Sequence, residues 1–228
     1  MIDNLLLLAG ILFMLLAAWC VYRRGRIREY PLPFAFFILS AVLNFVLTFH
    51  TMFGSLSRKA YVNFYWANEI IEQGFALVLM LVVVQLAVAG EKSLAILGQV
   101  VASVVVVLAS ALLTEGEQSY SSRWMTGFTR NLSFGVALMN FQVWGLLIAK
   151  RVRSREILLL ACGLGLLTTG KSLGHTIRII ATPGGWVEWL GNYTVVATSL
   201  LATYTWWAAF RPSKRRPEIA GPKLVKPA

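Results

Sequence analysis

Charge is what this sequence has least of. Of 228 residues only 14% are Asp, Glu, Lys or Arg, and just 10 are acidic. With 57% hydrophobic residues and a mean hydropathy of +0.68, a water-soluble domain would have nowhere to hide its apolar surface. A chain that crosses a bilayer repeatedly turns that surface toward lipid instead. Cysteine is nearly missing too. Cys20 and Cys162 both lie inside apolar runs, so no disulfide is expected and no redox compartment can be read from them. No G-x-S-x-G marks an activated serine, and no H-E-x-x-H supplies metal-ligand spacing. The chain reads as non-enzymatic, with no metal site.

What the chain has is seven apolar segments, each near the ~20 residues that cross ~30 Å of hydrocarbon. They are Leu5–Tyr22, Leu32–His50, Tyr65–Ala89, Leu94–Leu113, Leu132–Ala149, Ile157–Ile180 and Trp186–Phe210. Their length and continuity favour helices over the short alternating strands of a barrel. The expected fold is an all-α, polytopic seven-transmembrane-helix bundle over residues 1–210. Short connections make sequential neighbours antiparallel, and an odd number of segments argues against two inverted halves.

The net charge of +11 does not point to nucleic acid, because the bases fall in short clusters between the apolar runs. That is how loops face anionic headgroups. The opening Met1-Ile2-Asp3-Asn4 lacks the basic start of a signal peptide, and Arg23-Arg24-Gly25-Arg26 follows the first run at once. The first segment therefore reads as a retained anchor. With the N-terminus outside, the inner side holds Arg23, Arg24, Arg26, Arg28, Lys92, Lys150, Arg151, Arg153, Arg155, Arg211, Lys214, Arg215, Arg216, Lys223 and Lys226, which is 15 of the 21 bases. The expected topology is N-out and C-in, multi-pass in the plasma (inner) membrane. Residues 211–228 carry Pro212, Pro217, Pro222 and Pro227 among bases, and read as a disordered, lipid-touching cytoplasmic tail.

Ionisable residues gather at one end. Glu69 and Glu72 share one stripe of the third segment, with Tyr65 and Gln73 one turn either side of Glu69. At ~1.5 Å per residue, Glu69 lies ~30 Å and Glu72 ~26 Å from Ala89, so both are expected at or just beneath the outer boundary. Lys171, His175 and Arg178 form a basic stripe on the sixth segment, Arg130 opens the fifth and His50 ends the second. Two expectations compete. In one, Glu69, Glu72, Arg130, Lys171 and His175 line a polar, ligand-binding cavity open to the outside. In the other, these side chains reach up to headgroups beside a belt of Trp66, Trp124, Trp186 and Trp189.

Gly165 to Ser172 matches the phosphate-loop pattern G-x-x-x-x-G-K-[ST] letter for letter. Without alternating strands and helices, or a later acidic metal ligand, the match carries no nucleotide site. Gly170 and Gly174, four apart, instead suit close approach of a neighbouring helix. No lysine lies on the seventh segment, so a retinal protein is not expected. His50 and His175 stand at similar levels and are able in principle to hold a haem, although histidine serves more often as a hydrogen-bonder. Asn44, Gln99, Asn140 and Gln142 fit interhelical hydrogen bonds, and no acid is expected near the midplane to carry protons.

Tyr65-Trp66-x-x-Glu69 at the head of the third segment, together with basic inner loops and a short tail, resembles uncharacterised seven-helix integral membrane proteins of environmental bacteria. The resemblance covers mainly that segment and the topology, and implies no activity or site residues. The functional expectation is a membrane sensor or binding module that takes a small ligand from the outer side. With nothing after Ala228, it would signal through a separate protein. A transporter or channel subunit and a haem-bearing redox protein are the alternatives.

Overall fold

Pro31 occupies the first turn of a helix, where its missing N–H leaves no bond unmade, and Gly54 ends that helix at φ 63°, the left-handed conformation of a C-cap. The same logic punctuates the rest of the chain. Gly25 (φ 65°) turns it after the first helix, and Ser154 caps another by accepting from the Ile157 N–H. The computed structural model describes residues 2–54, 57–87, 122–182 and 184–212, with 105 alone between them. Six long helices result: α1 (Ile2–Arg23), α2 (Pro31–Phe53), α3 (Arg58–Ala87), α4 (Ser122–Ala149), α5 (Arg155–Ile180) and α6 (Trp186–Phe210). A single 3-10 turn, Arg26–Arg28, joins the first two, and no strand occurs among the described residues.

Five of these helices, α1 to α5, are long and apolar enough to cross a membrane. This is the make-up of a multi-pass membrane protein. Helix α6, with 25 residues, has the length but is not among the five. Leu12, Phe45, Phe49, Phe141 and Ile148 stand exposed on the outside of the bundle, a surface that suits lipid and not water. The fourth expected segment, Leu94–Leu113, falls outside the described residues apart from position 105, and so does the tail from 213 onward.

Helices α1 to α6 pack in sequence, and α6 returns to α1, so the six close a ring; α3 and α5 also meet across it. The most extensive interface joins α5 to α6, and glycines make it possible. A Cβ on Gly163 would run into the Trp206 indole, one on Gly170 into Thr198, and one on Gly174 into Val195 and the Gly191 carbonyl. The sequence expectation for Gly170 and Gly174 is therefore met.

One end of the ring is packed solid. Trp206 is fully buried against Phe36 (5.3 Å between ring centroids, edge-on) and Phe37 (5.6 Å), while Phe210 bridges Phe37 and Tyr30. The Trp206 indole N–H donates to the Leu160 carbonyl at 3.3 Å. At this same end Arg26 pairs with Glu156 (3.0 Å) and Glu29 (2.7 Å), so this loop base turns to acids of the chain, where headgroups were the expected partner.

Two boundaries correct the sequence reading. Helix α3 begins at Arg58, not Tyr65, and α4 at Ser122, not Leu132. Polar residues in Arg58–Phe64 hid the first two turns of α3 from a hydropathy reading. Glu72 consequently stands at the midpoint of Lys59–Leu86, the stretch of α3 long and apolar enough to span, and not near its end.

Candidate functional site

Three helices bring their polar residues together at mid-length. Asn44 is halfway along α2, Glu69 and Glu72 lie on α3, and Lys171 is on α5. The Lys171 ammonium donates to Glu72 Oε2 at 2.6 Å and to Glu69 Oε2 at 3.0 Å. Asn44 Nδ2 donates to the other oxygen of Glu72 at 2.8 Å, and also to the Ser40 carbonyl. Glu69 and Glu72 are each 6% exposed and Lys171 only 2%. The headgroup-facing expectation is thereby overturned for these three. Charged groups in a membrane protein normally face inward and pair, because an unpaired charge in hydrocarbon costs ~2.5–3.5 kcal/mol or more.

Above Lys171 on the same face of α5 come His175 and Arg178, at the one-turn intervals read from the sequence. His175 is fully buried, with Nε2 3.8 Å from Glu69 Oε2 and Nδ1 3.5 Å from the Arg178 guanidinium. Arg178 also donates to the Tyr65 hydroxyl at 3.4 Å.

These groups form one wall of a cavity of about 430 Å³ enclosed by α1, α2, α3, α5 and α6. The volume is in the range that holds a small organic ligand. Glu69, Glu72, Lys171 and Arg178 line it, with Tyr65 and Asn68 beside them. On the facing side α1 contributes Leu6, Leu7, Gly10, Ile11 and Met14, with no polar side chain among them. Along α6 the lining runs from Trp189 to Thr203, about 21 Å of helix. The cavity thus reaches from the Trp189 end of the bundle down to the aromatic plug around Trp206.

Of the five residues expected to line the cavity, Glu69, Glu72 and Lys171 do so. Arg130 does not: it sits on α4, its guanidinium bonded to Asn131 Oδ1 at 2.9 and 3.1 Å, on the far side of the α3–α5 contact. His175 is beside the cavity but behind its surface, between Glu69 and Arg178. His50 stacks on Tyr61 (4.8 Å between centroids), so neither histidine lines the opening. Among the described residues, no group of three or more His, Cys, Asp or Glu is arranged to hold a metal ion. The expected tryptophan belt is split as well. Trp186 is exposed, Trp66 is turned inward at 7% exposure, and Trp189 stands at the cavity mouth.

Two groups of site residues were missed. Trp189, Asn192, Val196, Ser199 and Thr203 recur every three or four positions on α6, a stripe the sequence displays but that was read only as apolar span. The apolar stripe of α1 looks the same whether it meets lipid or a cavity, so nothing in the sequence separated it. The phosphate-loop match lies wholly inside α5, where its backbone amides are committed to the helical ladder. No family model, curated protein or solved structure matches this chain.

Proposed function

We propose that this chain is a seven-helix membrane sensor or binding module, non-enzymatic, that takes a small ligand into the cavity from the outer side and passes occupancy to a separate protein. The observation that carries this reading is the cavity itself: a pocket with buried charges that runs from the Trp189 end of the bundle toward the aromatic cluster around Trp206. In the same proposal the N-terminus is outside, the mouth near Trp189 faces outward, and the basic loops and tail lie on the cytoplasmic side against anionic lipid of the plasma membrane.

The test is ligand-dependent thermal unfolding of the purified chain, run beside a Gly10→Phe variant. A Cβ on Gly10 meets nothing within 4 Å, so a phenyl ring there grows into open cavity. Compounds that stabilise the native chain and not Gly10→Phe support the reading. A compound library that leaves both unfolding curves unmoved counts against it. For orientation, a single cysteine at Gly184, in a Cys20/Cys162-free background, should react with a membrane-impermeant maleimide on whole cells.

A transporter is the second reading, favoured by the mid-length position of Glu72 beside Lys171, where an ion-coupled carrier places its charged residues. Substrate uptake into proteoliposomes, abolished in Glu72→Gln, distinguishes it from a receptor. The haem alternative is tested by the absorption spectrum of the purified protein.

A further inference from the structure

The cavity wall is electrically divided. At the inner pole two carboxylates, Glu69 and Glu72, share the single ammonium of Lys171, which, counting His175 as neutral, leaves one negative charge over. Asn68 adds an acceptor there: it lines the cavity at 3% exposure, and its Oδ1 has no hydrogen-bond partner among the described residues. At the outer pole stands Arg178, about 10 Å further along α5. Among the described residues its guanidinium is bonded to the Tyr65 hydroxyl and set against the His175 ring; Glu69 and Glu188 are near enough to act on it, but no carboxylate there lies within ion-pair distance of it. The poles are separated by one imidazole and its two contacts, 3.5 Å to Arg178 and 3.8 Å to Glu69.

We propose that the ligand is zwitterionic, with an ammonium facing Glu69, Glu72 and Asn68, and an anionic group facing Arg178. A short spacer separates the two charges, and the apolar portion rests on Leu7, Ile11 and Met14 of α1. This rests on the binding-cavity reading above and adds the ligand's class. A simple amine satisfies the inner pole but leaves Arg178 unmatched, and a simple anion does the reverse. A wrong charge is repelled at either pole, most strongly at the buried inner one, so the wall selects against both. A bare inorganic ion matches one pole only and leaves the apolar face and most of the volume unused. Two sources carry the required chemistry, a soluble aminocarboxylate and the headgroup of a zwitterionic phospholipid.

The test uses the full chain in neutral detergent, with unfolding followed by the fluorescence of its 8 tryptophans. The soluble probes are ε-aminocaproate, hexylamine and caproate. Phosphatidylethanolamine forms the lipid arm, with phosphatidylglycerol as its anionic control. The expected result is that ε-aminocaproate or phosphatidylethanolamine stabilises at concentrations about tenfold below its single-charge counterparts. Stabilisation by the soluble probe identifies a free ligand, and stabilisation by the phospholipid alone identifies a headgroup; both support the zwitterionic class. Arg178→Gln, at the half-buried outer pole, should erase the advantage of ε-aminocaproate over hexylamine while hexylamine binding persists. Glu72→Gln should erase its advantage over caproate; if that variant does not fold, Arg178→Gln decides alone. A single-charge probe equal to the zwitterion in the native chain overturns the ligand class and leaves the cavity reading standing, as does an advantage that Arg178→Gln leaves intact. Failure of every probe, whatever its charge, in both the native chain and Gly10→Phe removes both.

Discussion

The ammonium of Lys171 lies 2.6 Å from a carboxylate oxygen of Glu72, 99 positions earlier in the chain. Neither group is tolerable alone where it sits. Replacing Lys171 with Met leaves two carboxylates in a buried pocket without their counter-ion, and breaking a buried pair in this way costs about 3–5 kcal/mol. Lys171→Met should therefore unfold well below the native temperature in detergent. Removing the carboxylates as well, with Lys171→Met, Glu69→Gln and Glu72→Gln together, should recover most of the loss. If the triple variant is less stable than the single one, the charges are not coupled as their geometry indicates.

Gly174 and Gly191 meet backbone to backbone: a Cβ on the first would lie 2.8 Å from the carbonyl oxygen of the second, and a Cβ on the second 2.9 Å from that of the first. No rotamer relieves such a contact. Gly174→Ala and Gly191→Ala should each cost about 1–3 kcal/mol, the range of overpacked cores. Gly145→Ala, whose Cβ meets nothing within 4 Å, should cost nothing and gain some helix propensity. Melting temperatures of the three variants check this, and equal effects would remove the seam from the account.

Gln73 on α3 and Ser133 on α4 are both fully buried, and their side-chain polar atoms have no hydrogen-bond partner among the described residues. A buried unsatisfied polar group costs about 1–3 kcal/mol. Gln73→Met and Ser133→Ala should raise the unfolding temperature or leave it unchanged. A large drop in either would mean that the side chain is bonded in the folded protein.

Arg26 joins the turn after α1 to Glu156 on α5, but both side chains remain about a quarter exposed. Solvent screening holds such pairs to about 0–1 kcal/mol. Glu156→Gln should shift stability by no more than that, and the shift should shrink in high salt. A loss of several kcal/mol would show the pair to be buried.

Much of the fold was legible because hydropathy and helical spacing are local. The five spanning helices follow from run length, and the pairing of α3 acids with α5 bases follows from opposite charge on two regular stripes. What failed was rotation. Arg130 stands at a suitable height on α4, but the azimuth of one helix about its axis depends on all its neighbours, and here α3 meets α5 between Arg130 and the cavity. Depth failed for a different reason. The polar residues in Arg58–Phe64 ended the apolar run early, so the outer boundary was drawn near Tyr65 although the helix runs on to Arg58.

The glycine seam also has a mechanical consequence. Where Gly174 and Gly191 face each other, the Val195, Ile177 and Arg178 side chains and both carbonyls leave less room than a single Cβ needs, so α5 has little freedom to shift against α6. The two helices are therefore expected to move as one plate that carries Lys171 on one strut and Trp189 on the other. Any tilt that draws the ammonium off Glu69 and Glu72 must reshape the doorway in the same stroke, so unlocking the charges and changing the entrance are a single movement.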